Sequence, residues 1–179
     1  MTLRYCMEQR DFAAFVSGIE DMTRETDAYC FLPRESQYEL YFNVWICTEE
    51  EFRWFETCDS LLFTLHSKLQ ALLKHYDETM AEYTDADTIG FRGYMLYVMP
   101  SNYEWMAYEY AERLGSRLMK NACAQAPENP IWRYFCSNDT AERNRLSPAV
   151  QAELQRKFKG GPELLQYFLE MTKIENELL

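Results

Sequence analysis

Two stretches of the chain alternate hydrophobic and other residues with a period of two, which is the pattern of a β-strand. In residues 37–47, five apolar side chains fall on one face: Tyr38, Leu40, Phe42, Val44 and Ile46. In residues 89–99, apolar side chains fall on both faces, as in a strand that is covered on both sides of a sheet. The pattern therefore predicts a small mixed sheet built around these two strands.

Apolar residues recur at intervals of three and four over residues 62–83, which predicts the longest amphipathic helix of the chain. Two segments, Thr48–Glu51 and Ser101–Glu104, have the residue types of capping boxes and so predict helix starts. Ser147 followed by Pro148 predicts another start. Together these signals predict helices at 49–83, 102–124, 147–159 and 162–178, after a shorter one that Asp11 opens.

The predicted strands and helices follow one another without regular β-α alternation. No internal repeat and no long linker divides the 179 residues, a length that fits one domain. The sequence therefore predicts a single α+β domain over residues 1–179, in which four to five helices flank the small mixed sheet.

The negative charge is concentrated in the first half of the chain. Residues 1–90 hold 7 Lys and Arg against 18 Asp and Glu, a net charge of −11, whereas residues 91–179 hold 11 of each. Nucleic-acid binding needs a basic stripe that displaces counterions from phosphates, and the sequence has none. We therefore expect no direct binding to nucleic acid or to anionic membranes. A basic partner would be steered toward the first half, although such charge also serves solubility.

The cysteines and the N-terminus predict a cytoplasmic protein. Residues 1–8 lack the apolar segment of a secretory signal, and the longest uncharged stretch, Gly93–Tyr103, covers about half of a membrane span. None of the six cysteines belongs to a C-x-x-C pair, which argues against a zinc site and for reduced, buried thiols. We expect neither a metal nor another cofactor.

The sequence offers no catalytic constellation. The two histidines, His66 and His75, lie nine residues apart on one predicted helix, about 13 Å along its axis and on opposite sides, so they cannot share a metal. Cys58 lies about 12 Å from His66 if both belong to that helix, which is too far for a nucleophile and its base. Phosphate-binding loops and known catalytic motifs are absent from the sequence. We therefore predict no catalytic residue.

Aromatic residues make up 16% of the chain, and several lie beside acidic ones. Tyrosine and tryptophan are enriched at binding hot spots. We therefore expect a non-catalytic inhibitor of the immunity-protein or antitoxin type. It would neutralise a basic protein, for example a toxin or a nucleic-acid-binding protein. The predicted contact residues are Glu49, Glu50, Arg53, Trp54, Glu56, Asp77, Glu78, Glu82, Tyr83, Asp85, Asp87 and Trp105.

Three other functions are compatible with the sequence. The first is a small hydrolase or transferase in which a carboxylate acts with His66 or a cysteine within about 3 Å. The second is a mimic of nucleic acid, which requires carboxylates in two rows along an elongated face. The third is a structural or oligomer-forming module. The aromatic residues also have a simpler explanation, since they can pack helices against the sheet.

Overall fold

The computed structural model describes residues 2–49 and 59–177, with only the backbone given for Glu49 and for residues 173–177. The described residues form helices and turns, with no β-strand among them. The helices are α1 Leu3–Glu8, α2 Phe12–Arg24, α3 Arg34–Glu49, α4 Asp59–Ala81, α5 Ala86–Val98, α6 Tyr108–Gln125, α7 Pro130–Cys136, α8 Thr140–Lys157 and α9 Pro162–Glu177. Short 3-10 turns lie at Thr26–Phe31 and Pro100–Asn102.

The predicted α+β class is wrong, because both predicted strands are helical. Residues 37–47 lie within α3, and residues 89–98 belong to α5. All seven residues 41–47 are buried, so this part of α3 is surrounded by protein on every side. A helix buried all round is apolar all round and loses the 3.6-residue period by which a surface helix is recognised. Its aromatic and aliphatic residues happen to alternate, which imitates a strand.

The helix predictions are partly confirmed. The long amphipathic segment is α4, and the last predicted helix corresponds to α9. The Asp11 carboxylate caps α2 as predicted, accepting the backbone N–H of Ala14 at 3.0 Å. These three elements carry an apolar stripe or a local capping residue, which is the information that a sequence pattern reports directly.

Three helix starts are predicted wrongly. Thr48 lies in the last turn of α3, where its hydroxyl donates to the carbonyl of Trp45 at 2.6 Å instead of capping a new helix. The segment after Ser101 continues from a 3-10 turn into irregular chain, and α6 begins only at Tyr108. Pro148 lies inside α8, which starts at Thr140 with Asp139 as its cap. Residues 50–58 of the helix predicted at 49–83 lie outside the described residues.

Helices α5 and α6 approach each other until their backbones touch. A Cβ atom on Gly115 of α6 would lie 2.5 Å from the backbone nitrogen of Tyr97 and 2.6 Å from the carbonyl oxygen of Gly93, both in α5. Any side chain at this crossing would force the helices apart. Gly90, one turn before Gly93, similarly leaves room for the indole ring of Trp132. The glycines of the segment predicted as a strand are therefore contact points between helices.

Many of the aromatic side chains form the interior. Trp45 and Trp132 are each 1% exposed, and Tyr29 stacks on Tyr76 with 3.9 Å between the ring centres. The expectation that some rings only pack the interior therefore holds for these residues, which pack helix on helix. Among the described helices, none combines the length and the apolar composition that a membrane crossing requires.

Candidate functional site

The buried carboxylate of Asp77 forms an ion pair in the core of the protein. Asp77, on α4, is 1% exposed, and its two oxygens accept hydrogen bonds from Nε and Nη2 of Arg92, on α5, both at 2.8 Å. The Tyr41 hydroxyl donates to the same carboxylate at 3.0 Å and lies 2.7 Å from the Tyr103 hydroxyl. This cluster joins α3, α4, α5 and the chain before α6, and Asp77 is enclosed within it.

Three of the groups around Asp77, namely Tyr41, Tyr103 and Arg92, are each held in one protonation state. Burial raises the pKa of Tyr41 and of Tyr103 well above the ordinary value, and the negative charge of Asp77 adds to that effect. Burial by itself lowers the pKa of Arg92, but the hydrogen bonds and charge of Asp77 outweigh it and raise that pKa. Because both tyrosines remain protonated and Arg92 charged, the cluster is suited to holding helices together.

Asp87, at the start of α5, is also occupied within the protein. One carboxylate oxygen accepts hydrogen bonds from the side-chain nitrogens of Asn129 and Trp132, both at 3.0 Å. The other oxygen pairs with the ammonium group of Lys157 on α8. Asp87 therefore joins α5 to α7 and α8. Its side chain nevertheless remains 38% exposed.

A second group of carboxylates lies exposed where the turn Thr26–Phe31 packs on the end of α4. We call it the acidic corner, and it consists of Glu25, Asp27, Glu78, Glu82 and Asp85, all of which are exposed. The turn is attached to α4 by the stacking of Tyr29 on Tyr76, and to α3 by Gln37, whose amide donates to the carbonyls of Tyr29 and Cys30 at 3.0 and 3.2 Å. Three predicted contact residues, Glu78, Glu82 and Asp85, thus lie at one end of α4.

Phe31 projects from the acidic corner into solvent. It ends the turn and is 86% exposed, the largest value among the exposed large hydrophobic residues described. Close by, the guanidinium of Arg34 lies 3.2 Å from the centre of the Tyr83 ring, so this cation is held against an aromatic face. The ammonium of Lys74 is 3.9 Å from the Glu78 carboxylate. An exposed apolar ring thus lies on the turn that carries Asp27, and Glu78 already has a cation beside it.

Trp105 lies at the other end of α4, away from the acidic corner. Its neighbour Glu104 lies with Oε1 2.7 Å from Nε2 of His66, which places this segment beside the first half of the helix. His66 and Glu82 are sixteen residues apart on the chain, about 24 Å along the helix axis. Trp105 itself packs edge-on against the buried Tyr103 ring. The structure therefore does not bring Trp105 together with the acidic corner.

Five of the predicted contact residues cannot be assigned to the acidic corner or to the region of Trp105. Glu50, Arg53, Trp54 and Glu56 lie outside the described residues, and for Glu49 only the backbone is described. Within the described ranges, no group of three His, Cys, Asp or Glu side chains is arranged to hold a metal ion.

Surface depressions among the described residues include a groove and a cleft. A groove of about 300 Å³ is lined along α6 by Tyr110, Arg113, Leu114 and Arg117. A narrower cleft of about 190 Å³ lies among α5 to α9, lined by Tyr94, Tyr97, Val98, Met119, Tyr134, Phe135, Arg143 and Met171. The cleft is smaller than the roughly 300–1,000 Å³ typical of ligand pockets. His66 and Glu104 line neither depression.

Sequence reasoning missed Phe31, Glu25 and Asp27. Phe31 lies in a short apolar run before Pro33, and an apolar run is expected to be buried. Its exposure follows from the 3-10 turn, which directs Tyr29 into the core at 1% exposure and leaves Phe31 outside.

Comparisons of the chain with protein-family models, with curated proteins and with solved structures found no match. Function must therefore be argued from the surface chemistry alone.

Proposed function

We propose that this protein binds a basic protein partner through the acidic corner and inhibits it, in the manner of an immunity protein or antitoxin. The observation that supports the proposal most is Phe31, an exposed ring on the turn that carries Asp27 and packs against α4. An apolar anchor surrounded by charge is the usual organisation of a binding hot spot.

The charges would increase the rate of association and the selectivity for a basic partner. The first half of the chain carries a net charge of −11 and the second half none, so the field steers a cationic partner toward residues 1–90. Carboxylates of the acidic corner would pair with Lys and Arg of the partner, while Phe31 enters an apolar pocket. Such complexes associate faster at low salt, because the attraction between exposed charges is screened at high salt.

The proposal is tested with the whole chain as bait in an extract of the cells that naturally produce it. We expect a basic protein to be retained at about 50 mM salt and largely released at about 500 mM salt. Its activity should fall when the purified chain is added in equimolar amount. The association rate constant should drop by roughly tenfold or more between these two salt concentrations.

Three variants locate the contact surface. The double variant Glu78→Lys/Glu82→Lys should abolish capture, and Phe31→Ala should weaken binding by about tenfold or more. The control Glu109→Lys/Glu128→Lys makes the same charge change at two exposed positions outside the acidic corner and should bind like the wild type. If the charge-reversed variant retains the same proteins as the wild type, the acidic corner is not the binding surface. If a captured partner keeps its full activity, the protein is a binding module rather than an inhibitor.

A second candidate, a hydrolase or transferase, is favoured by the pair of His66 and Glu104. The 2.7 Å between Nε2 and Oε1 is the geometry in which a carboxylate orients a histidine base. The side chains are 30% and 57% exposed, however, which is more typical of a surface ion pair. A panel of ester, phosphoester and acyl-transfer substrates tests this function. An activity that is lost in both His66→Gln and Glu104→Gln would support it, and an activity that persists in both would exclude the pair.

A further inference from the structure

Helix α6 presents two exposed arginines that no described carboxylate neutralises. Arg113 and Arg117 form neither an ion pair nor a hydrogen bond with any group in the part of the chain that the structure describes. The exposed Arg156 of α8, in contrast, donates to both carboxylate oxygens of Glu153, at 2.8 and 2.6 Å. The two guanidinium groups of α6 are therefore available to an anion that arrives from solvent.

The two arginines line one groove together with a tyrosine and a leucine. Arg113, Leu114 and Arg117 come three, four and seven residues after Tyr110, a spacing that places all four side chains on one face of the helix. These four residues line the groove of about 300 Å³ along α6. Because Arg113 and Arg117 are four residues apart, their Cβ atoms lie about 5–6 Å from each other. Long side chains at this separation can both reach one anion.

The arginine pair matches a phosphate group in charge and in hydrogen-bonding geometry. Each guanidinium presents its N–H donors in a planar fork, which binds the oxygens of a carboxylate or a phosphate through two parallel hydrogen bonds. A phosphate monoester has about two negative charges at neutral pH and three strong acceptor oxygens. It can therefore engage both arginines at once, whereas a carboxylate has one charge and two oxygens and satisfies only one of them.

Tyr110 and Leu114 add apolar surface to the same groove. The Tyr110 side chain is 51% exposed, and an exposed aromatic ring can stack with a flat ring of a ligand. Tyr110 and Arg117 lie about 10 Å apart along the helix axis, so one small molecule can contact both. We propose that this groove binds a small organic phosphate, namely a phosphate monoester that carries an aromatic ring.

Helix α6 is positively charged although the protein as a whole is acidic. It carries three Lys and Arg against two Glu, and the surplus of acids in the chain lies in residues 1–90. Exposed charges more than about 10 Å apart are largely screened at about 0.1 M salt, so the nearest groups dominate. Glu109, four residues before Arg113, is the acid closest to the groove by helical spacing, and the two arginines outnumber it.

An NMR titration of the whole chain, labelled with nitrogen-15, tests the proposal. The probes are phenyl phosphate, inorganic phosphate and phenol, so that the phosphate and the ring are also offered separately. At about 50 mM salt, we expect phenyl phosphate to shift the backbone N–H signals of residues 110–117 until they saturate. Its Kd should be lower than that of either fragment by about tenfold or more, because it combines charge-assisted hydrogen bonds with ring stacking.

Variants separate the contributions of the arginines and the ring. Arg113→Gln and Arg117→Gln should each raise the Kd of phenyl phosphate by about tenfold. The control Arg24→Gln removes the same charge from an exposed arginine of α2 and should leave that Kd unchanged. Tyr110→Ser should weaken the binding of phenyl phosphate by about fivefold but leave inorganic phosphate unaffected.

Three results would overturn the proposal. They are the absence of saturable shifts in α6, a Kd for phenyl phosphate no lower than that for inorganic phosphate, and wild-type affinity in both arginine variants. A phosphotyrosine peptide that binds at α6 when phenyl phosphate does not would assign the groove to a protein ligand, which also contradicts the proposal. Phe31→Ala, which tests the acidic corner, should keep the wild-type Kd, so the two proposals can fail separately.

Discussion

Asp77 and Glu78 are neighbours on α4, but they lie in opposite environments. Asp77 faces the interior and is enclosed by Arg92 and Tyr41, whereas Glu78 faces solvent in the acidic corner. The sequence assigned both to one partner-binding surface. The comparison shows that the role of a carboxylate is set by the side of the helix on which it lies and by whether a cation is buried with it. A carboxylate that is buried with a cation holds helices together, whereas an exposed carboxylate can contact a partner protein.

The largest expected effect is the loss of the buried charge. Asp77→Ala should lower the free energy of unfolding by about 3–5 kcal/mol, because it leaves the Arg92 guanidinium buried without a counter-charge. The matched control, Glu78→Ala, should change it by no more than about 0.5 kcal/mol. Urea unfolding measures both. Equal effects at the two positions would contradict the distinction between the inner and outer sides of α4.

The same pair can be removed as a unit. We expect Asp77→Leu/Arg92→Met to be less destabilising than Arg92→Met alone, by about 2 kcal/mol. The single variant leaves the Asp77 carboxylate buried without a counter-charge, whereas the double variant leaves no charge at this place in the interior. The free energies of unfolding of both single variants and the double variant form the necessary thermodynamic cycle. Strictly additive losses would mean that the two groups do not stabilise one another.

The tyrosine pair should contribute less than the ion pair. Tyr103→Phe removes one hydroxyl from the buried cluster and should cost about 1–2 kcal/mol, since the Tyr41 hydroxyl loses a partner at 2.7 Å. The matched control is Tyr108→Phe, at a tyrosine that is exposed at the start of α6. Thermal unfolding should show a lower Tm for the first variant and no change for the second. An unchanged Tm for Tyr103→Phe would show that this hydroxyl contact is not stabilising.

Glu39 is a third kind of carboxylate, half-buried and without an ion pair to any cation that the structure describes. Its oxygens accept the backbone N–H groups of Glu163 and Leu164 at the start of α9, both at 3.3 Å. Burial raises the pKa of Glu39 in spite of these hydrogen bonds. Compared with the unfolded chain, the folded protein therefore favours the protonated form of Glu39. The stabilisation from this shift is complete below the ordinary pKa of 4.5 and is lost as the pH rises through the folded value.

The change in stability with pH that Glu39 causes is the smallest expected effect, and its sign is what the experiment tests. The stability of the wild type relative to Glu39→Gln should fall as the pH rises from about 4 to about 7. Glu153 provides the opposite control, because hydrogen bonds from Arg156 lower its pKa. The stability of the wild type relative to Glu153→Gln should therefore be fully present above the ordinary pKa of 4.5 and be lost as the pH falls below it through the lowered folded value. Denaturant unfolding at a series of pH values measures both slopes, and slopes of the same sign would refute the contrast.

Predictions from the sequence succeeded where the signal was local. The Asp11 cap and the apolar stripe of α4 depend on residues within a few positions of each other, and the structure confirms both. Prediction failed for α3 and α5, whose environment is created by distant parts of the chain. At Gly93 the partner is Gly115, and at Gly90 it is Trp132, more than twenty and forty residues away respectively. Such pairings have no signature in a single sequence.

The sequence by itself determined the total charge, its concentration in residues 1–90 and the amphipathic character of the longest helix, because these are sums or short-range periodicities. The tertiary structure alone decided which acids are enclosed and which rings reach solvent. Asp77 became part of the core because α5 brings Arg92 against it. Phe31 became exposed because a 3-10 turn sends Tyr29 inward instead. Exposure depends on all the helices that pack around a residue, and that packing is a property of the folded chain.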